Sequence, residues 1–147
     1  MRARGRCAAT CPGALDEAWT SRATVSGTDG AWIDGDRLYI TRLSDAMSSV
    51  VSLGLDDPTP RVVAQLSPAV LGWKALDDLT VIDGQAYVAS YATGEVLRVD
   101  FATGAACSLA GFLGAPTSVR PAPSEPGRLT LLVIEAGGNI TRLTLPC

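Results

Sequence analysis

The side chains that could do chemistry in this sequence carry oxygen rather than imidazole nitrogen, because the 147 residues include no histidine. Without histidine the chain has no Ser-His-Asp or Cys-His arrangement and no His-Glu-x-x-His metal site. Carboxylates, amides and hydroxyls remain, and these groups suit a hard cation such as calcium or magnesium. Any enzymatic activity is therefore expected to depend on carboxylates.

Two aspartates stand out by their positions in the sequence. Asp29 precedes Gly30 at the start of one predicted strand, and Asp78 takes the matching place before Leu79 at the start of another. If both strands line a common channel, their carboxylates point into its mouth and converge on one ion. The alternative is that each aspartate caps a turn by bonding its own backbone, as Asp next to Gly commonly does. The sequence leaves both interpretations open.

The four cysteines lie at positions 7, 11, 107 and 147. Cys7 and Cys11 have no second cysteine pair or histidine nearby, which argues against a structural zinc site because such a site takes four ligands. Cys107 and Cys147 could form a disulfide in an oxidising compartment. Two unpaired thiols packed as small apolar groups are the alternative.

The elements that must position these residues come from a repeat. The run 38–40 recurs 48 positions later at 86–88, and again 44 positions later at 130–132. Within each unit apolar residues alternate at period two between Asp-Gly or Thr-Gly turns, which predicts antiparallel hairpins. The 15 Gly and 9 Pro leave few spans for helical repeats. Short strands in units of this length indicate β-propeller blades, so we predict an all-β fold.

We predict a partial β-propeller of about three antiparallel four-stranded blades, at about 25–68, 74–111 and 114–147, although the third blade shows no fourth strand. Residues 1–24 are expected to be a poorly ordered leader or a closing segment, with 22–25 as a strand that could complete a blade. The predicted strands are 31–34, 37–42, 49–54, 61–66, 79–83, 85–90, 95–101, 107–110, 117–120, 129–134 and 139–145.

Three blades are too few to close a ring, because known propellers have about four to eight. The chain is then a fragment of a larger ring, one of two copies that assemble a ring by self-association, or an open fold of unusual kind. These three explanations stay open.

Composition limits the partners. Fifteen acidic and 12 basic residues give a net charge of −3, which predicts no nucleic-acid partner because no electropositive footprint is present. No apolar run approaches the roughly 20 residues that span a bilayer, which predicts no membrane partner. The N-terminus is basic but lacks the apolar core of a signal peptide. We expect a soluble protein, either cytoplasmic or secreted and bacterial.

The run DDLTVIDGQAYVASYATGEVLRVDFATG resembles blades of the senescence marker protein (regucalcin) and gluconolactonase family of six-bladed propellers, and GTDGAWIDGDRLYITR resembles the preceding blade. The resemblance covers about residues 25–145 and implies that the three blades are half of a six-bladed ring. In that family a divalent cation, often calcium, lies in the channel on a Glu, an Asn and an Asp. The Asp also acts as general base in lactone hydrolysis.

Carried over by position, Asp78 matches the aspartate that is both metal ligand and catalytic base, and Asp29 matches the ligand asparagine. Asp in place of Asn adds a negative charge, and Leu79 replaces the usual glycine after the aspartate. The family's glutamate belongs to a blade that this chain lacks. Because calcium takes six to eight oxygen ligands, two aspartates do not complete a calcium site.

The resemblance therefore implies a metal-dependent sugar-lactone hydrolase, with calcium as cofactor and a small-molecule lactone as substrate, incomplete and inactive as these three blades. The alternative is a non-catalytic propeller module that binds a small ligand or a protein on its channel face. Fold resemblance does not choose between the two functions.

Overall fold

The computed structural model describes residues 13–67 and 72–146. These residues form one short helix and eleven strands. The elements are α1 (Glu17–Arg22), β1 (Thr28–Asp34), β2 (Arg37–Arg42), β3 (Ser49–Gly54), β4 (Arg61–Gln65), β5 (Leu76–Ile82), β6 (Gln85–Ser90), β7 (Glu95–Asp100), β8 (Ala106–Ala110), β9 (Pro116–Ala122), β10 (Arg128–Glu135) and β11 (Ile140–Pro146). In the described part of the chain, no helix has the length and apolar character needed to cross a membrane.

The strands form three antiparallel sheets in which each strand pairs with the next along the chain. Blade 1 has the order β1-β2-β3-β4, blade 2 has β5-β6-β7-β8, and blade 3 has β9-β10-β11. The predicted all-β partial propeller is confirmed, and the predicted strand limits agree with the structure to within a few residues. Blade 3 has three strands among the described residues, as the sequence predicts.

The turns and the alternation of side chains explain why these segments form hairpins. Asp83 and Gly84 both have positive φ angles, of 50° and 75°, which is the backbone of a two-residue hairpin turn between β5 and β6. On β7, Leu97 and Val99 point to one face of blade 2 and Val96 points to the other. Blade 2 is consequently apolar on both faces and lies between its two neighbours.

The hydrophobic core is divided into two clusters by blade 2. The first cluster lies between blades 1 and 2 and includes the fully buried Val50, Leu79 and Val88. The second lies between blades 2 and 3 and includes Val119 and Leu131. Each such buried side chain contributes about 1.5–3 kcal/mol to folding relative to an exposed one. The packing brings the first strands of the blades, β1, β5 and β9, side by side at the inner edge.

The segment before β1 contacts the loop between β3 and β4 of blade 1. Asp16 caps helix α1 by accepting a hydrogen bond from the Trp19 backbone amide. The Trp19 indole donates to the Leu55 carbonyl over 2.7 Å, and Arg22 pairs with Asp57. The segment 22–25, considered above as a closing strand, instead contains the last residue of this helix and three residues outside any strand, because the Ala23 amide bonds to the Trp19 carbonyl and completes the last helical turn. Residues 1–12 lie outside the described part.

The cysteine predictions remain open. Cys107 is exposed on β8 and forms no disulfide within the part of the chain that the structure describes. Cys7, Cys11 and Cys147 lie outside the described residues. The alternative of a Cys107–Cys147 disulfide therefore stays a prediction.

Candidate carboxylate site on the inner strands

The aspartates singled out in the sequence lie in bulges of two inner strands. The pairing of β1 with β2 shifts between Thr28 and Ala31, and the pairing of β5 with β6 shifts between Leu76 and Leu79. Each bulge places an extra residue at the start of an inner strand. Asp29 lies in the first bulge and Asp78 in the second.

The strand register corrects the predicted equivalence of these two aspartates. Thr28 pairs with Arg42 and Leu76 pairs with Ser90, so counting forward from Thr28 and Leu76 matches Asp29 with Asp77. Asp78 then matches Gly30 rather than Asp29. The prediction was displaced by one residue because the glycine after Asp29 was aligned with the leucine after Asp78.

Gly30 brings the two bulges into direct contact. A Cβ atom at this position would lie 2.5 Å from the Asp78 Cα and 2.6 Å from the Asp77 carbonyl oxygen, so only glycine fits. The buried Thr41 hydroxyl joins the two strands further. It accepts a hydrogen bond from the Gly30 amide over 2.9 Å and donates to the Asp77 carbonyl over 2.6 Å.

Asp78 is held by two side chains of blade 3. Ser118 Oγ donates to Asp78 Oδ2 over 2.7 Å, and Arg120 Nη1 lies 2.6 Å from the same oxygen. The Asp78 side chain is 9% exposed, whereas that of Arg120 is 42% exposed. A charged hydrogen bond of this kind is stronger than a neutral one. Asp78 is therefore committed to an ion pair that joins blade 2 to blade 3.

Arg120 connects all three blades. Besides its ion pair, its Nη1 donates to the carbonyls of Leu79, over 3.2 Å, and Val119, over 2.8 Å. Its guanidinium carbon also lies 5.5 Å from the centre of a Trp32 ring on β1, within reach of a cation–π contact. The arginine thus places its positive charge beside the oxygen that the resemblance assigns to a metal ion.

Asp77 is the carboxylate that the sequence prediction missed. Burial, followed by repulsion from the negative charges of Asp29 and Asp78, raises the pKa of Asp77 from 3.8 to about 6. A carboxyl group with such a pKa changes its protonation close to neutral pH. The repeat spacing could have identified it. Subtracting 48 positions from Asp77, the first residue of the Asp-Asp pair at 77–78, gives Asp29.

The arrangement does not have the donor set of a metal centre. Across residues 13–67 and 72–146, no group of three or more histidine, cysteine, aspartate or glutamate side chains is placed to hold an ion. The described residues therefore supply no complete set of metal ligands, and Arg120 lies beside the Asp78 oxygen that would bind the ion in the resembled family.

Comparison with known proteins supports the fold. No protein-family model matches the chain, and no curated protein sequence matches it. Among solved structures, the chain is similar to one in the "Crystal structure of Nidogen/Laminin Complex", with 17% identity and a TM-score of 0.55. The match covers 82% of this chain and 48% of the matched chain, so this chain spans about half the length of the chain that it matches. The likeness is one of β-propeller fold.

Proposed function

We propose that this chain is part of a β-propeller that serves as a non-catalytic binding module. The observation that carries the proposal is the pairing of Asp78 with Arg120 and Ser118. The carboxylate oxygen that would bind a cation and accept a proton from water already accepts a hydrogen bond from Ser118 and forms an ion pair with Arg120. Asp78 then has a structural role, which is to fix blade 2 against blade 3.

A protein partner is favoured over a small-molecule substrate. The similar solved chain comes from a complex of nidogen with laminin. Because the two chains are only 17% identical, this similarity supports a shared fold and does not identify a partner for this chain. Binding through a rigid repeat surface is nevertheless a use that such folds support readily.

A metal-dependent sugar-lactone hydrolase is the second candidate. It is favoured by the three neighbouring carboxylates of Asp29, Asp77 and Asp78, one of which has a pKa raised to about 6. Groups with such pKa values are common at active sites. Against it, the described residues offer no set of three metal ligands, and Asp78 is paired with an arginine.

Calcium and lactone assays separate the two candidates. For a binding module, we expect calcium chloride to leave the melting temperature unchanged and the protein to add nothing to the spontaneous hydrolysis of an aldonolactone. Asp78→Asn should lower the melting temperature, because it removes the ion pair to Arg120. The exposed Asp34→Asn serves as the matched control. Stabilisation by calcium, together with turnover that Asp78→Asn abolishes in a folded protein, would establish the hydrolase instead.

A further inference from the structure

A groove of 630 Å³ lies between blades 2 and 3, at the opposite end of β5 from the carboxylates. It is bordered by the β5–β6 turn at Asp83 and by the loop before β10 at Ser124. Grooves of this size are typical of ligand sites in proteins. The carboxylate site and the groove share no side chain.

The floor of the groove is apolar. Ile82, Leu129 and Leu145 line it, and all three are partly buried residues that pack at the margin of the second core cluster. Tyr87, a buried member of that cluster, also reaches the groove surface. An apolar side chain laid on this floor would be removed from water and gain the corresponding hydrophobic free energy.

Two arginines from different blades also line the groove. Arg98 comes from β7 of blade 2 and Arg128 from β10 of blade 3, and both are exposed. Among the described residues the Arg98 side chain has no hydrogen bond or ion pair, whereas the Arg128 side chain lies 4.0 Å from the exposed Glu125. An exposed pair of this kind contributes about 0–1 kcal/mol, so a ligand carboxylate can replace Glu125.

The charge of the groove is not a consequence of overall composition. The chain carries a net charge of −3, yet this groove has two arginines and one acidic residue, Asp83, on its lining. Arginine binds carboxylates through two parallel hydrogen bonds, which gives both affinity and orientation. A ligand that satisfies both arginines needs two carboxylates separated by an apolar group.

We propose that the groove between blades 2 and 3 binds an acidic peptide segment, with carboxylates at Arg98 and Arg128 and an apolar side chain on Ile82, Leu129 and Leu145. A peptide that places an acidic, an apolar and a second acidic residue at every second position, as in Glu-Ser-Leu-Ser-Glu, presents all three side chains on one face of an extended strand, because every second side chain shares a face. This inference rests on the proposed binding function and names the class of its partner.

Fluorescence anisotropy with two synthetic hexapeptides tests the proposal. One peptide has the sequence Glu-Ser-Leu-Ser-Glu-Ser, and the matched peptide has glutamine in place of both glutamates. We expect the glutamate peptide to bind about tenfold more tightly, and its affinity to fall as salt screens the two ion pairs. Arg98→Gln and Arg128→Gln should each weaken it by about tenfold. Arg61→Gln, which removes an equally exposed arginine from blade 1, should leave binding unchanged.

Equal affinity for the two peptides, or an equal loss from Arg61→Gln and Arg98→Gln, would overturn the assignment. Absence of binding by the glutamate peptide would also overturn it. Circular dichroism of each variant shows whether a loss of binding follows from unfolding. Failure of the peptide to bind, with no lactone turnover, would refute the groove alone, whereas calcium-dependent turnover would refute the binding module itself.

Discussion

The two ends of strand β5 use their charged residues in different ways. At its start, Asp78 is nearly buried and its charge is paired with Arg120 from the next blade. At its end lies the open groove, which is lined by Arg98 of β7. The Arg98 side chain has no partner among the described side chains. Removing one partner of an ion pair inside the fold leaves an uncompensated charge and destabilises the fold, whereas an exposed charge without an internal partner remains free for a ligand. The Asp78 carboxylate is therefore engaged within the fold, and the arginines of the groove are the better candidates for binding.

The largest expected effect comes from Gly30, at the contact between the bulges of β1 and β5. Gly30→Ala would place a methyl group 2.5 Å from the Asp78 Cα, and backbone atoms cannot move aside as a flexible side chain does. We expect a loss of about 3 kcal/mol in the free energy of unfolding, measured by urea denaturation. Gly137→Ala is the control, since nothing lies within 4 Å of its added Cβ. An equal loss in both variants would contradict the close approach.

Breaking the ion pair is expected to have the next largest effect. Asp78→Asn or Arg120→Gln should each cost about 1–3 kcal/mol, less than for a fully buried pair because water reaches Arg120. A double-mutant cycle measures the coupling between the two side chains. Independent, additive losses would show that the pair does not hold blade 2 to blade 3.

The pH dependence of stability should reveal Asp77. Its folded-state pKa of about 6 exceeds the ordinary value of 3.8, so the folded protein binds the proton more tightly than the unfolded chain. The contribution of Asp77 to stability is therefore expected to fall as pH rises from about 4 to 6. Asp77→Asn should remove this fall and stabilise the protein at pH 7 by about 1–2 kcal/mol, after screening by water is allowed for.

Urea denaturation at several pH values, for the wild type and the variant, measures this difference. Asp36→Asn, an exposed aspartate in the β1–β2 turn, controls for the loss of one negative charge. Parallel pH profiles for the wild type and Asp77→Asn would show that the pKa of Asp77 is not raised in the folded protein.

The smallest expected effect on stability belongs to the basic groove. Arg98→Gln should change the free energy of unfolding by less than about 0.5 kcal/mol, since this exposed side chain has no ion pair in the described structure. The contrast with Arg120→Gln separates an arginine used for folding from one left for a ligand. A large loss from Arg98→Gln would remove that contrast.

Much of the fold could be predicted because its signals are local. The turn at Asp83 and Gly84 and the alternation on β7 depend only on neighbouring residues, and they gave the strands and blades correctly. Helix α1 was missed although Asp16 is a typical N-cap residue. The strand bulges were also missed, because a bulge depends on the pairing of two strands. The mismatch of Asp29 with Asp78 has another cause, since the 48-residue spacing of the repeat already pairs Asp29 with Asp77.

The sequence by itself determined the repeat, the antiparallel hairpins and the presence of aspartates at the start of the inner strands. The tertiary structure decided which side chains those aspartates contact. Arg120 lies 42 positions beyond Asp78 and on another blade, so no local pattern links them. Arg98 and Arg128 likewise share a groove only because blade 3 packs against blade 2. Pairing between distant residues depends on how the blades pack, since packing alone sets which charges meet and which stay in water.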